Sequence, residues 1–360
     1  MAYEPRSPGL DRKPRILELG VCSLFKRGLP EQTTLIWTGK RINAVPLTDS
    51  KPLSWPVIRQ LRHSLASGAF DLIMCYPPEI PPWREARSYK PLGRSLLLFH
   101  ILLHHPMLTE SASLAVLDYN DRTPILLHNH HLLKRASWYF KRELPVSREE
   151  LLLGTTPWFE TADSVLQSRL YRGNEHKLIP TSIGISYEKL ADVPESPMEK
   201  TTDIFFSGGL NSETRRRGLP ELLDLARFGI KVDVPPARLP RKEFYERCAR
   251  AWLVWSPEGL GWDCFRHYES AACRSVPVIN RPRIVWHEPM QEGVHCFFYE
   301  PSGGNLAAVV KAALADKSKL RTMAEAGREH VLRHQTPTAI CEYILRQCAL
   351  LSRPDGRPGF

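Results

Sequence analysis

A glycine-rich segment in the C-terminal half of the chain carries side chains suited to a phosphorylated ligand. Residues 259–279 read GLGWDCFRHYESAACRSVPVI, with two glycines first, polar residues next and an apolar run at the end. Glycines let the backbone turn tightly and come close to a ligand. A helix that begins near Asp263 or Cys264 presents unpaired N–H groups and the positive end of its dipole to an anion. The segment therefore predicts a phosphate site at the start of that helix.

Polar side chains on this predicted helix extend the site. Arg266, in the first turn, can hold a diphosphate through two hydrogen bonds. Glu269 follows three residues later on the same face, where its carboxylate can accept hydrogen bonds from two neighbouring ribose hydroxyls. His267 lies within reach of the same pocket, and Trp262 can stack on a base or sugar. The structural alternative is an N-cap at Asp263 with a solvated arginine–glutamate pair, but the glycines before it favour a ligand site.

A second glycine turn occurs earlier, in DIFFSGGLNSETRRRGL, residues 203–219. Gly208 and Gly209 leave backbone N–H groups free to face a phosphate, and three consecutive arginines follow. Arg215 is the candidate among them because it is nearest to the turn. A plain turn followed by a solvated basic helix face is the alternative interpretation for each arginine.

Both segments resemble known nucleotide-sugar motifs. SPEGLGWDCFRHYESAACRSVPVI is similar to the C-terminal motif of GT-B glycosyltransferases, closest to the family-1-like group with spore-maturation-type and exostosin-like enzymes. The resemblance implies that Glu269 binds the ribose and that Arg266 contacts the diphosphate or sugar. The chain departs from the pattern at Ser270, Cys273 and Arg274, where Ala, a small residue and Gly are usual. The candidate donor-binding residues are Gly208, Gly209, Arg215, Gly261, Trp262, Asp263, Arg266, His267 and Glu269.

The N-terminal half resembles the same group at LDYND and WYFKREL. If the enzyme is inverting and needs a general base to deprotonate the acceptor hydroxyl, Asp121 and His128 are the candidates. Asp118 and Asp121 also suggest a metal pair, as in the other major glycosyltransferase fold, but that fold lacks a second Rossmann half. Because GT-B enzymes generally work without a bound metal, the resemblance implies no metal and no cofactor. Residues 141–143 are expected to form a structural ion network at the cleft between domains.

These segments require a scaffold of alternating strands and helices, which predicts an α/β fold with parallel sheets. We expect the GT-B arrangement of two Rossmann-like domains facing a cleft, with acceptor binding in residues 1–186 and donor binding in 187–337. Residues 187–202, charged and with two prolines, are interpreted as a linker or the approach to the second domain. A helix over 338–351 is expected to cross back to the first domain, and 352–360 to be a disordered tail.

Composition limits the remaining choices. The chain has 360 residues, 42% hydrophobic and 24% charged, which suits two globular domains. Eight scattered cysteines indicate reduced thiols and a cytoplasmic protein. The N-terminus lacks the apolar region of a signal peptide. The most apolar stretch, residues 96–103, is shorter than the ~20 residues of a membrane span.

The net charge of +10 favours an anionic partner. A nucleic-acid-binding protein would concentrate its basic residues in one stripe among stacking aromatics, whereas here they are spread along the chain. The sequence therefore predicts a metal-independent glycosyltransferase with a nucleotide-sugar donor and a saccharide, lipid-linked or small-molecule acceptor. We expect no nucleic acid and at most peripheral membrane contact. The alternatives are a nucleic-acid-binding protein and a GT-B-like protein that binds nucleotide sugars without transferring them.

Overall fold

The chain divides into two compact units. The computed structural model describes residues 12–37, 51–78, 98–99, 101–106, 108, 112–126, 129–147, 151 and 173–350. The first unit comprises Met1–Leu144, Arg148–Thr181 and Pro337–Phe360, and the second comprises Pro145–Ser147 and Ser182–Thr336. The predicted tail, 352–360, lies outside the described residues.

The first unit is built on a seven-stranded parallel sheet. Its strands are β1 (Ile16–Gly20), β2 (Thr33–Trp37), β3 (Lys51–Pro52), β4 (Leu72–Cys75), β5 (Ser113–Asp118), β6 (Trp138–Lys141) and β7 (Leu178–Pro180). Their order is β3-β2-β1-β4-β5-β6-β7. β1 and β4 are buried along their whole length, as expected of parallel strands that are covered on both faces. The order reverses between β1 and β4, so the sheet is doubly wound.

The helices described in this half of the chain are α1 (Leu24–Gly28), α2 (Trp55–Ala66) and α3 (His130–Arg135). A buried carboxylate holds the start of α1. Glu18 in β1 accepts hydrogen bonds from the backbone N–H groups of Phe25 (2.9 Å) and Lys26 (2.8 Å) and from the hydroxyl of Tyr76 (2.6 Å). Burial raises the pKa of Glu18 to about 7. Its hydrogen bonds tie β1, α1 and the residue that follows β4 together.

The second unit has a five-stranded parallel sheet. Its strands are β8 (Thr202–Phe205), β9 (Val232–Asp233), β10 (Ala251–Trp255), β11 (Val276–Asn280) and β12 (Phe297–Tyr299), in the order β12-β11-β10-β8-β9. β8 and β10 are neighbours, and the strand order reverses there. The two glycine-rich segments follow these two strands. The fold thus places them side by side at the switch point, where open α/β sheets bind ligands.

Helices cover this sheet on both sides. They are α4 (Tyr187–Leu190), α5 (Glu213–Asp224), α6 (Arg241–Arg250), α7 (Phe265–Ala272), α8 (Leu306–Leu314) and α9 (Lys317–His334). Alternate strand residues enter two cores: Phe205, Val254 and Ile279 pack in one, and Ile204, Leu253 and Val278 pack in the other. The segment interpreted as a linker begins with α4 and buries Val193 in the first of these cores.

The last described helix, α10 (Pro337–Gln347), packs in the first unit. Thr338 Oγ1 donates to the Gly28 carbonyl (2.8 Å), and the Tyr343 hydroxyl donates to the Pro180 carbonyl (3.0 Å). Ile340 and Ile344 are buried in one cluster with residues of β1, α1 and β4. The first unit is therefore assembled from residues at both ends of the sequence.

Three imidazoles lie close together in the second unit, and their surroundings predict a pH-dependent stability. The ring centre of His330 lies 4.5 Å from that of His295 and 4.9 Å from that of His334. Burial, and then the charges of the two neighbouring rings, lower the pKa of His330 from 6.5 to about 4. The unfolded chain therefore binds a proton at a higher pH than the folded chain does. We therefore expect the free energy of unfolding to be independent of the charge of His330 above about pH 6.5. It should decrease as the pH falls from about 6.5 to about 4.

The measurement is the thermal midpoint against pH for wild type and for His330→Gln. The variant should lose less stability than wild type across that interval. His176→Gln, which changes an exposed histidine, should keep the wild-type profile. Identical profiles for His330→Gln and wild type would contradict the assignment.

Candidate functional site

A cavity of about 650 Å³ lies in the second unit beside the glycine turn that follows β8. Five segments of the unit form its wall. They are Ser207, Gly208 and Gly209 after β8, residues 235–239 after β9, Arg241, Phe244 and Tyr245 of α6, Arg266 and Glu269 of α7, and Lys189 of α4. The cavity therefore lies at the carboxyl edge of the sheet, where the strand order predicts a ligand site.

Basic side chains outnumber acidic ones in this wall. Lys189, Arg238, Arg241 and Arg266 contribute positive charge, and Glu269 contributes the negative charge among the lining residues. Arg241 forms an ion pair with Asp192, and Lys189 forms one with Glu269. The remaining positive charge favours an anionic ligand.

Arg266 extends from the first turn of α7 to the glycine turn after β8. Its Nη2 donates to the Ser207 carbonyl at 2.7 Å, and its guanidinium carbon lies 5.1 Å from the centre of the Phe206 ring. Its Nε and Nη1 atoms are buried and have no hydrogen-bond partner among the residues that the structure describes. Buried donors without partners are costly, and charged donors more so. Arg266 also lines the cavity, so an anion bound there would lie against this guanidinium.

Gly208 has no side chain, and Arg266 occupies the space that a side chain there would fill. A Cβ atom on Gly208 would overlap Arg266 Nη2, whereas one on Gly209 would meet nothing within 4 Å. Neither glycine has a left-handed backbone conformation. The requirement for glycine at position 208 is therefore steric, and it concerns the approach of a side chain rather than a tight turn.

Glu269 lies one helical turn after Arg266 and lines the same cavity. Its Oε1 accepts hydrogen bonds from Lys189 Nζ (2.7 Å) and from the Tyr245 hydroxyl (3.2 Å). Burial, together with the Glu269 charge, raises the pKa of Tyr245 well above its usual value, so its hydroxyl remains a donor. No described residue hydrogen-bonds to Oε2 of Glu269. This second oxygen is available to a ligand.

Arg215, predicted as a ligand residue, lies behind the wall of the cavity. It is 6% exposed, and its Nη1 donates to the Gly209 carbonyl (2.9 Å) and to Asn211 Oδ1 (2.8 Å). Its Nη2 donates to the Pro257 carbonyl at 3.2 Å. Burial, and then the positive charge of Arg266, lower the pKa of Arg215. In this structure Arg215 joins the two glycine-rich loops to each other.

Two other predicted ligand residues, Trp262 and His267, have side chains that are buried away from the cavity. Trp262 is 4% exposed, donates from Nε1 to the Asn280 carbonyl (3.0 Å) and packs edge-on against Trp286. His267 is fully buried between the Ser256 hydroxyl (2.7 Å) and the Trp262 carbonyl (2.9 Å). A carbonyl only accepts, so Nε2 of His267 carries the proton and Nδ1 accepts from Ser256. Both side chains stabilise the loop.

Asp263 and Gly261 also lie outside the wall of the cavity. Asp263 is 1% exposed, and its oxygens accept from the Ile183 N–H (2.7 Å) and the Tyr268 hydroxyl (2.5 Å). The residue in the N-cap position of α7 is Cys264. The Gly261 carbonyl accepts from the Gly259 N–H at 2.9 Å, which closes the loop on itself. These predicted ligand residues therefore have structural positions here.

The two candidate bases belong to the N-terminal half of the chain. Asp121 follows β5, its side chain is 47% exposed, and its Oδ1 accepts from Arg142 at 2.5 Å. His128 lies outside the described residues. Lys141 is fully buried and pairs with Asp118, while Arg142 pairs with both Asp121 and Glu143. Over the described ranges, no group of three or more His, Cys, Asp or Glu side chains is placed to hold a metal ion.

Several residues of the wall were not predicted from the sequence. Lys189 lies in the segment interpreted as a linker, and Tyr245 lies on a helix for which the sequence predicts no role in binding. The proline-rich segment 235–239 follows the short strand β9. Its position after a strand of a parallel sheet was the signal that would have identified it.

Comparison with solved structures identifies the fold. A glycosyltransferase from Rickettsia africae matches with a TM-score of 0.53 and 10% identity, covering 93% of this chain and 97% of that one. Sucrose-phosphate synthase from Thermosynechococcus elongatus matches at 0.53 and 12%, covering 93% and 99%. Anabaena HepE in complex with UDP matches at 0.53 and 11%, covering 94% and 100%. The chain has the GT-B fold. No protein-family model and no curated protein matches the sequence.

The GT-B match extends over both units, because each of these alignments covers more than nine-tenths of the chain. The predicted fold class, α/β with two parallel sheets, is therefore confirmed. In the part of the chain that the structure describes, no helix has the length and apolar character needed to span a bilayer.

Proposed function

We propose that this protein is a glycosyltransferase that moves a sugar from a nucleotide-diphosphate sugar to an acceptor hydroxyl. The observation that carries the proposal is the pairing of two groups in one cavity wall. Arg266 brings buried N–H donors without partners, and Glu269, one turn later, presents a carboxylate oxygen without a partner among the described residues. A nucleoside diphosphate carries the matching groups, an anionic diphosphate and a ribose with neighbouring hydroxyls.

The cavity can hold such a donor. Its volume of about 650 Å³ is within the usual range of ligand pockets, roughly 300–1,000 Å³. Arg266 would donate to the diphosphate, and Glu269 Oε2 would accept a hydrogen bond from a ribose hydroxyl. Arg215 would act indirectly by holding the glycine turn that positions Arg266.

In the transfer step the acceptor oxygen bonds to the anomeric carbon of the sugar. The bond between that carbon and the diphosphate oxygen breaks, and its electron pair leaves with the diphosphate. Arg266 would stabilise the negative charge that develops there. If the enzyme inverts the anomeric configuration, the proton of the acceptor hydroxyl passes to a general base, for which Asp121 and His128 are the candidates.

Metal independence and the subgroup are part of the proposal. Arg266 and the start of α7 provide positive charge at the place where a metal would otherwise neutralise the diphosphate. The spore-maturation-type or exostosin-like subgroup is proposed on the motif around Arg266 and Glu269. Anabaena HepE has been solved with UDP and with UDP-glucose, so uridine nucleotides are the first probes to use. The acceptor class remains a saccharide, a lipid-linked sugar or a small molecule.

The test is a thermal-shift panel of UDP, ADP, GDP and their diphosphate sugars on wild type and Glu269→Ala. A ligand at ~100 times its Kd should stabilise the folded protein by about 2.7 kcal/mol. We expect one base to raise the thermal midpoint of wild type, and Glu269→Ala to reduce that rise. Glu213→Ala, which removes an exposed carboxylate of α5 in the same unit, is the control and should respond like wild type. A shift with oligonucleotides and none with nucleotides would contradict the proposal.

A further inference from the structure

Lys189 contacts the proposed ribose ligand Glu269 from a distant part of the chain. It lies on α4, 80 residues before Glu269, and its Nζ is 2.7 Å from Glu269 Oε1. Its side chain is 23% exposed and that of Glu269 is 12% exposed. An ion pair this enclosed is held more firmly than a surface pair, since solvent screens it less.

The ammonium of Lys189 is fixed on two sides. Besides its contact with Glu269, Nζ lies 3.4 Å from the centre of the Phe265 ring, a cation–π geometry. Phe265 is the first residue of α7, the helix that carries both Arg266 and Glu269. Lys189 is therefore held by the helix whose carboxylate it binds.

The same oxygen of Glu269 receives both protein donors. Lys189 Nζ and the Tyr245 hydroxyl both approach Oε1. With Oε1 held in this way, rotation of the carboxylate is restricted, and Oε2 is the oxygen left for a ligand in the cavity.

We propose that Lys189 is a positioning residue that orients Glu269 toward the ribose of the donor. The inference rests on the proposed function, in which Glu269 Oε2 accepts from a ribose hydroxyl. Lys189 remains on Oε1 when the nucleotide binds, and it acts on the ribose through Glu269 rather than on the diphosphate. Its effect on affinity is then confined to ligands that carry ribose hydroxyls.

The experiment compares each nucleoside diphosphate with its 2′,3′-dideoxy analogue by titration calorimetry. The probes are UDP, ADP and GDP, of which those that bind wild type are used. In Lys189→Met we expect the affinity for the ribonucleotide to fall about tenfold, the scale of a hydrogen bond to a charged group. The affinity for the dideoxy analogue should change less than twofold. Because both ligands are measured on one protein preparation, partial misfolding lowers the active fraction and leaves the ratio of the two Kd values unchanged.

Two further variants complete the test. Lys189→Arg keeps a cation at the Glu269 carboxylate and should restore most of the preference for the ribonucleotide. Lys242→Met, which changes an exposed lysine of α6, should behave as wild type. Equal losses of affinity for the ribonucleotide and its dideoxy analogue would show that Lys189 acts on the diphosphate and would overturn the inference. Wild-type affinity of Lys189→Met for both ligands would overturn it too. If wild type binds none of the three nucleotides, the proposed function fails as well.

Discussion

Replacing Arg266 with methionine is expected to preserve or raise the thermal midpoint of the protein while it removes most of its binding of nucleoside diphosphates. Two of the three nitrogens of this guanidinium are buried without a partner among the described residues. Removing two unsatisfied buried donors relieves a cost, which offsets the loss of the Nη2 bond to the Ser207 carbonyl. Methionine keeps the apolar stem against the Phe206 ring. The same change removes one of the positive charges that the cavity offers to a diphosphate.

The loss of binding should be about 10- to 100-fold in the Kd of the nucleoside diphosphate, the range for hydrogen bonds to a charged group. Cleavage of the nucleotide sugar should slow by ~10²–10³, the effect of removing one donor to a developing negative charge. Calorimetry and the release of nucleoside diphosphate from the donor provide the two measurements.

Arg216→Met is the matched control for this change. Arg216 lies on α5 in the same unit, where it is exposed and paired with Glu213. This variant should bind and cleave the donor as wild type does. A fall in thermal midpoint of Arg266→Met without a loss of binding would mean that Arg266 is a structural residue.

Gly208→Ala is expected to reproduce much of this loss without touching the arginine. The added Cβ would overlap Arg266 Nη2, so the guanidinium must move and lose its bond to the Ser207 carbonyl. Displacement of a donor by about 1 Å is enough to lower a catalytic rate by ~10²-fold. The thermal midpoint should fall, because crowding at a close contact costs about 1–3 kcal/mol.

The two substitutions should not be additive. With methionine at position 266, the atom that a Cβ on residue 208 would meet is gone, so Gly208→Ala should have little further effect on donor cleavage. Gly303→Ala is the control, since its Cβ would make an ordinary contact of 3.8 Å with the Glu300 side chain. It should leave both stability and rate unchanged. Additive losses in the double variant would contradict the steric coupling of Gly208 to Arg266.

Much of the scaffold follows from local sequence patterns. Short apolar runs such as those of β1 and β10, separated by helical stretches, predict parallel strands, because strands buried on both faces need no alternation. The glycine segments follow β8 and β10, and the carboxyl ends of parallel strands are where such sheets bind ligands. Glycine-rich turns and arginine positions are local features that a sequence displays directly.

The sequence alone does not separate the residues that line the cavity from their neighbours in the chain. Successive residues of a helix point about 100° apart. Arg266 and Glu269, three apart, therefore share the face that lines the cavity, while His267 is turned into the core. Trp262 and Asp263 lie before the helix, where tertiary hydrogen bonds to Asn280 and Ile183 decide their orientation. No local pattern contains those partners.

Lys189 shows the other limit of local patterns. Its contact with Glu269 spans 80 residues, and α4 is a single helical turn without a buried residue of its own. A charged stretch with prolines has the composition of a linker whether or not one of its lysines reaches a site. Only the folded arrangement of α4 beside α7 separates the two possibilities.

The return of α10 to the first unit affects the order in which the protein is made and folded. Ile340 and Ile344 complete a core that also contains Ile16 and Phe25, so the ribosome must reach the end of α10 before that core can close. The second unit, translated after most of the first, needs no residue beyond Thr336. During synthesis at about 5–20 residues per second, part of the apolar surface of the N-terminal half therefore stays uncovered until α10 has been made.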